Sequence, residues 1–273
     1  MSDNEEEVYK AEVVSTDVMY QQDKAAVDSQ VATAKMYPRN LRRAVDNAIA
    51  IVTLSEKAAR TCSYSVPRGG KPITGPSVHL AKIIAQNYGN LRVEAKVVDI
   101  TEKHIRSQAV VWDIENNVAY KLEVLRNITD KYGKRFNDDM ITVTGNAGNS
   151  IALRNAIFAA VPRQIVDAVY EAAQQRITGD VSDENKLKAK RTQVVSQLKD
   201  AYSLKEAEVL AAVGKTSISQ VTPGDIVTLT GIDQAIKDGD TNREMAFFPE
   251  KIKSDNRGAA VTAATAKAME GKG

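Results

Sequence analysis

Apolar residues recur at helical spacing through Leu41, Val45, Ala48 and Val52, a pattern that predicts an amphipathic helix. Pro38 stands just upstream, where proline suits a first helical turn, so order is expected to begin near it. Cys62–Val66 alternates and predicts a short strand, and Pro67-Arg68-Gly69-Gly70-Lys71-Pro72 then predicts a sharp turn. A second helix is expected from Pro76 through Leu80, Ala81, Ile84 and Ala85, stopping at Gly89. Three strand-like segments follow at 91–100, 103–114 and 117–128, with Glu115-Asn116-Asn117 suited to a hairpin. A long helical stretch from about Gly145 to Gln175 contains Pro162, which should kink or divide it.

Beyond Gly179 the pattern changes. Residues 186–201 mix lysines with apolar residues at helical spacing, and Ser203 with Glu206 predicts a capping box. Thr222-Pro223-Gly224-Asp225 starts a further helix that stops at Gly239. The expected organisation is a flexible leader over 1–30, an α+β core over 31–178, a small helical module over 179–248 and a disordered tail over 249–273. In the core, an antiparallel β-meander packs on a long helix.

Charge sharpens this division. The first thirty residues sum to −6, residues 31–178 to +8, and residues 179–273 to zero. A basic middle behind an acidic leader suits a polyanionic partner, because a local positive field concentrates phosphate; a merely solvated basic surface has the same composition. The apolar stretches are too short to span a bilayer, and the single cysteine, Cys62, cannot form an internal disulfide. A soluble, cytoplasmic chain without a membrane partner is expected.

Enzyme patterns are weak. Val213-Gly214-Lys215-Thr216 resembles the end of a phosphate loop, but the earlier glycine position is Val209, so a glycine ending a helix is expected. Thr144-Gly145-Asn146-Ala147-Gly148-Asn149 could offer backbone amides to a phosphate if it preceded a helix. His79 and His104 are the only histidines and have no metal-motif spacing. Asp138-Asp139 is expected to be a solvated pair; magnesium there would point instead to a nuclease. No catalytic residue, metal or cofactor is expected.

Positive charge on ordered elements remains. Arg68 and Lys71 bracket the Gly-Gly turn, Lys131, Lys134 and Arg135 follow the meander, and Arg154 and Arg163 lie along the long helix. Such side chains hold phosphates without reading sequence. Tyr64, Tyr88, Trp112, Tyr120 and Tyr132 are available to stack on bases, although Trp112 and Tyr120, on strands, are expected in the core.

The order of these elements resembles the single-strand annealing recombinases: the eukaryotic Rad-type annealing protein and the phage RecT, Red-beta and Erf groups. The resemblance runs over residues 59–176 and rests on SYSVPRGGKPITG, SVHLAKIIAQNYGNLRVEAKVV, the meander and TGNAGNSIALRNAIFAAVPR. Leu153-Arg154-Asn155-Ala156-Ile157 falls where the Rad-type protein has a basic helix lining its DNA groove, although Asn155 stands where that helix is more basic. The resemblance implies ATP-independent annealing of single-stranded DNA by a homo-oligomeric ring or filament. Arg68, Lys71, Lys131, Lys134, Arg135, Arg154, Asn155 and Arg163 would contact DNA. An annealed duplex intermediate, a host single-strand binding protein and a phage exonuclease are the implied partners. A non-annealing single-strand binding protein and a structural assembly protein of a phage particle are the alternatives.

Overall fold

A computed structural model describes residues 16–68, 71–130 and 132–248. The chain is α+β. Helices α1 (Thr16–Met36), α2 (Leu41–Thr53) and α3 (Glu56–Thr61) precede a hairpin of β1 (Ser63–Arg68) and β2 (Lys71–Pro76). Helix α4 (Val78–Tyr88) leads to the meander β3 (Leu91–Ile100), β4 (His104–Asp113) and β5 (Val118–Asn127). Then come α5 (Asp138–Ala160), α6 (Arg163–Thr178), α7 (Glu184–Tyr202), α8 (Glu206–Ala211), a single 3-10 turn, α9 (Pro223–Lys237) and α10 (Arg243–Phe247). No helix among the described residues is long and apolar enough to cross a membrane.

The meander is antiparallel, and alternation sets its faces. On β4, Ile105, Ser107, Ala109, Val111 and Asp113 are buried, while Arg106, Gln108 and Trp112 on the alternate positions are more open. The buried row faces α5, where small residues set the approach. A Cβ on Gly145 would lie 2.9 Å from Ile105 Cδ1, and one on Gly148 would lie 2.5 Å from Ser107 Oγ. Behind α5, helices α2, α4 and α6 pack on one another through Ala48, Val52, Leu80, Ile84, Val166 and Val169.

The C-terminal helices share this core. Val194, Leu198, Leu210, Ile226, Leu229 and Phe247 belong to the same buried cluster as the residues of α2, α4 and α6. Helix α9 lies across β1, and a Cβ on Gly231 would stand 2.8 Å from the Tyr64 carbonyl carbon. A hydroxyl chain continues the contact, from Ser65 to Thr74 (2.9 Å) and from Thr74 to Thr228 (3.2 Å).

One buried ion pair joins the start of α2 to the β4–β5 turn. Arg39 donates to both oxygens of Asp113, at 2.7 and 2.5 Å, and its guanidinium lies 3.9 Å from the Tyr88 ring centroid. Asp113 also accepts from Asn116 and from the Glu115 backbone. The basic start of α2 thus has a partner, which offsets its unfavourable place near a helix N-terminus. Burial favours the neutral carboxyl of Asp113, but Arg39 and Asn116 outweigh it and hold the group below its ordinary value.

Several expectations are corrected. Residues 16–30 are not a loose leader but belong to α1, whose Gln30 accepts from Arg92; residues 1–15 and 249–273 lie outside the described residues. Alanine, glutamine and lysine build α1 by propensity, and without a stripe of large apolar residues it had no periodic signal. Helix α2 begins after an Asn40 cap, not at Pro38. The segment after the Gly-Gly pair is a strand, hidden in the sequence because Pro67 faces Pro72 in the register. Helix α5 starts seven residues before Gly145, capped by Asn137, and Pro162 separates it from α6. Ser203 ends α7 in a left-handed conformation at φ 52°, and the α8 start is closed by Glu208 accepting from the Lys205 amide. Neither Trp112 nor Tyr120 is in the buried core; Tyr120 is 38% exposed.

Two measurements check these contacts. Gly231→Ala should cost about 1–3 kcal/mol in denaturant unfolding, because the methyl meets backbone, whereas Gly224→Ala in the open first turn of α9 should change stability by less than about 0.5 kcal/mol. Asp113→Asn should cost up to about 3–5 kcal/mol by removing the doubly hydrogen-bonded counter-charge of buried Arg39, which keeps only Glu115 at 3.3 Å. Because the folded Asp113 carboxyl is depressed, its contribution is complete above the ordinary aspartate value of 3.8 and disappears as pH falls below it. The Asn variant should therefore show a shallower stability loss than the parent below about pH 4.

Candidate nucleic-acid interface

The β1–β2 hairpin and α5 together form a cationic and aromatic arrangement. Tyr64 on β1 faces Gly75 on β2, and a Cβ on Gly75 would lie 3.2 Å from Tyr64 Cε1. The missing side chain leaves room for the tyrosine ring over the hairpin. Arg154, from the last third of α5, places its guanidinium 4.3 Å from that ring's centroid. Its Nε and Nη2 donate to Asn155 Oδ1 at 3.2 and 3.1 Å. Four residues farther along β1, about 13 Å at strand rise, Arg68 stands opposite Lys71 in the register.

Other predicted cations sit elsewhere. Arg135 Nη1 donates to the Thr101 and Glu102 carbonyls at 2.5 and 3.0 Å, tying the loop after β5 to the β3–β4 turn. Lys134 is exposed in the same loop, its amide donating to Asp130; Lys131 lies outside the described residues. Arg163 pairs with Asp167 at 2.7 Å in the first turn of α6. Helix α5, 23 residues long, separates Arg135 at one end from Arg163 at the other by roughly 35 Å. The structure therefore brings Arg154, Asn155 and Tyr64 together at the root of the hairpin that carries Arg68 and Lys71. Lys134 and Arg135 stand at the opposite end of the long helix from Arg163.

The remaining sequence candidates are structural in their contacts. Gly145, Asn146, Ala147, Gly148 and Asn149 lie well inside α5, so they do not form a phosphate-receiving helix start; their small size serves the packing on β4. Asp138 and Asp139 occupy the first turn of α5, where negative charge suits the helix dipole. Gly214 has φ 68° just after α8, and Lys215 pairs with Asp225 at 3.5 Å. Cys62 is fully buried, and burial pushes its thiol up to about 11. Among the described residues, no group of three or more His, Cys, Asp and Glu side chains is placed to hold a metal ion.

Residues that the sequence did not link to Arg154 complete its surroundings. Asp238 and Asp240, just past α9, line the same narrow gap as Tyr64, Ser77, Ser150 and Arg154. His79 on α4 meets Asp238 at 3.2 Å, and this hydrogen bond raises the imidazole above its ordinary value. Arg126 on β5 passes beside Gly148, where a Cβ would lie 3.8 Å from its Cγ. No sequence spacing links positions 64, 79, 126, 154 and 240; only the fold does.

Other cavities lie apart from this place. One of about 560 Å³ opens between α7 and α9, with Leu198 and Leu229 among its lining and Arg60, Asp200, Asp233 and Lys237 bearing its charge. Arg60 binds Glu56 and Gln197, and Lys237 binds Asp233. A polar groove of about 390 Å³ beside the start of α2 is lined by Arg43, Asn47, Gln86 and Asn87.

A double-mutant cycle on Tyr64→Leu and Arg154→Ala should return a coupling of about 0.5–2 kcal/mol in unfolding free energy, with Tyr64→Phe retaining it. A coupling indistinguishable from zero would mean that the stack does not persist in solution.

No protein-family model, no curated protein and no solved structure matches this chain.

Proposed function

We propose that this protein binds single-stranded DNA through its phosphate backbone and anneals complementary strands without nucleotide hydrolysis. The observation that carries the reading is Arg154 stacked on Tyr64 at the root of a hairpin whose other end sets positions 68 and 71, both basic, opposite each other in the backbone register. Arginine on an aromatic face offers both a phosphate donor and a stacking platform. The span from this stack to Arg68 and Lys71, about 13 Å by strand rise, covers more than one phosphate spacing of a nucleic-acid strand.

The helix–hairpin–helix–meander–long-helix order supports the same reading through its resemblance to the annealing recombinases. Backbone capture leaves base edges free to test a second strand, and pairing then supplies the specificity and the driving force. The sheet edges β3 and β5 each pair on one side, so a second copy can extend the sheet into the oligomer that annealing requires.

The test mixes two complementary labelled strands with the protein in the absence of nucleotide. Duplex formation should accelerate, and Arg154→Ala should weaken binding to unrelated sequences alike while lowering the salt slope by about 0.7. Binding of both strands without acceleration would assign strand protection instead. An unchanged salt slope in Arg154→Ala would remove this residue from the interface.

A further inference from the structure

The turn Asp238-Gly239-Asp240 is placed like an internal counter-ion. Gly239 takes φ 77°, which reverses the chain after α9, and the Asp240 amide returns to the Ala235 carbonyl at 2.9 Å. This geometry fixes both carboxylates in the gap bounded by Tyr64, Ser77, Ser150 and Arg154. Asp238 is engaged by His79 Nε2 at 3.2 Å and by Gln234 Nε2 at 2.8 Å. Asp240 has a different environment. Burial, and after it the neighbouring Asp238, push its carboxyl above the ordinary value, against the opposing pull of Arg154, Arg126 and His79.

Three cationic or ionisable side chains from three separate elements stand around one acidic turn: His79 from α4 binds Asp238, Arg154 from α5 lines the same gap as both carboxylates, and Arg126 from β5, its stem beside Gly148, acts on Asp240 through space. Gly148 contributes by leaving space beside the Arg126 stem. An arrangement that draws positive groups from distant parts of the chain around two carboxylates has the charge pattern that would also receive a phosphate.

We infer that Arg126 and His79 complete the phosphate-binding site around Arg154, and that the Asp238–Asp240 turn occupies this site and competes with the nucleic-acid backbone. This rests on the DNA-binding reading of Arg154. A bound strand replaces carboxylate by phosphate around the same cations, so the charge balance of the site is preserved while the turn moves aside. The expected consequence is a negative coupling between the turn's acidity and affinity for a strand.

Anisotropy titrations of an oligothymidylate against the parent protein and Asp240→Asn, Arg126→Ala and Arg154→Ala test this. Asp240→Asn should bind about fivefold or more tightly, and Arg126→Ala should bind more weakly with a salt slope lowered by about 0.7. Inorganic pyrophosphate supplies a second readout: it should raise the melting temperature of Asp240→Asn more than that of the parent, whether or not the protein anneals DNA. If Arg154→Ala weakens binding but Asp240→Asn does not tighten it, the competing turn is wrong and the DNA reading stands. If neither arginine variant affects DNA binding yet pyrophosphate still favours Asp240→Asn, the site takes small anions and the DNA reading fails here. If Asp240→Asn responds to neither probe, the inference is overturned.

Discussion

How closely a helix can lie on a strand decides most of this architecture. Gly145 and Gly148 let α5 settle on β4, and Gly231 lets α9 settle on β1, in each case to a distance that a single methyl would obstruct. Packed interiors lack the slack to absorb such an obstruction, so the loss of one small residue is felt through the neighbouring layer. The close approach of α5 also sets the height of Arg154 above Tyr64. That of α9 sets where its C-terminal turn, and with it Asp238 and Asp240, meets α4 and α5. Packing and the candidate site therefore share one determinant.

Charge is used in two ways. Arg39 and Asp113 are buried together, joined by two hydrogen bonds, with the guanidinium over Tyr88. Such a pair contributes little by itself but fixes which surfaces meet, since a mispaired alternative would bury a bare charge. Arg135 similarly spends its donors on backbone carbonyls. Arg154 differs: its contacts are a ring face, the neighbouring Asn155 and the field of Asp240, all of which a phosphate can replace or join. This contrast separates an arginine whose donors are spent on the fold from one held by a ring face and a neighbouring side chain, although the residue type is the same.

The sequence was most informative where local rules act alone. The meander strands and the ends of α4 and α9 follow from alternation, a glycine stop and the Thr222 cap. It was misleading where tertiary contact overrode local preference. Gly145 and Gly148 read as the beginning of a helix because glycine weakens a helix interior, yet they lie mid-helix because the sheet beneath requires their small size. Proline obscured β2, and α1 lacked an apolar stripe. Arg154 was legible as a candidate from its basic helical setting and Asn155 only through the family resemblance, whereas no spacing linked Arg126, His79 and Asp240 to them, because that association depends on elements far apart in the chain.

The hydroxyl contact between Thr74 and Thr228 spans 154 positions. A ribosome adding about 5–20 residues per second makes the hairpin roughly 8–30 s before the helix that covers it. For that interval the tyrosine and its flanking strands have no lid, and they must resist pairing with other nascent chains. Two opposed prolines in those strands, one in each, remove amide donors from the ladder during this delay. The same residues that made the second strand hard to recognise thus guard the earliest sheet of the protein until its last large helix arrives.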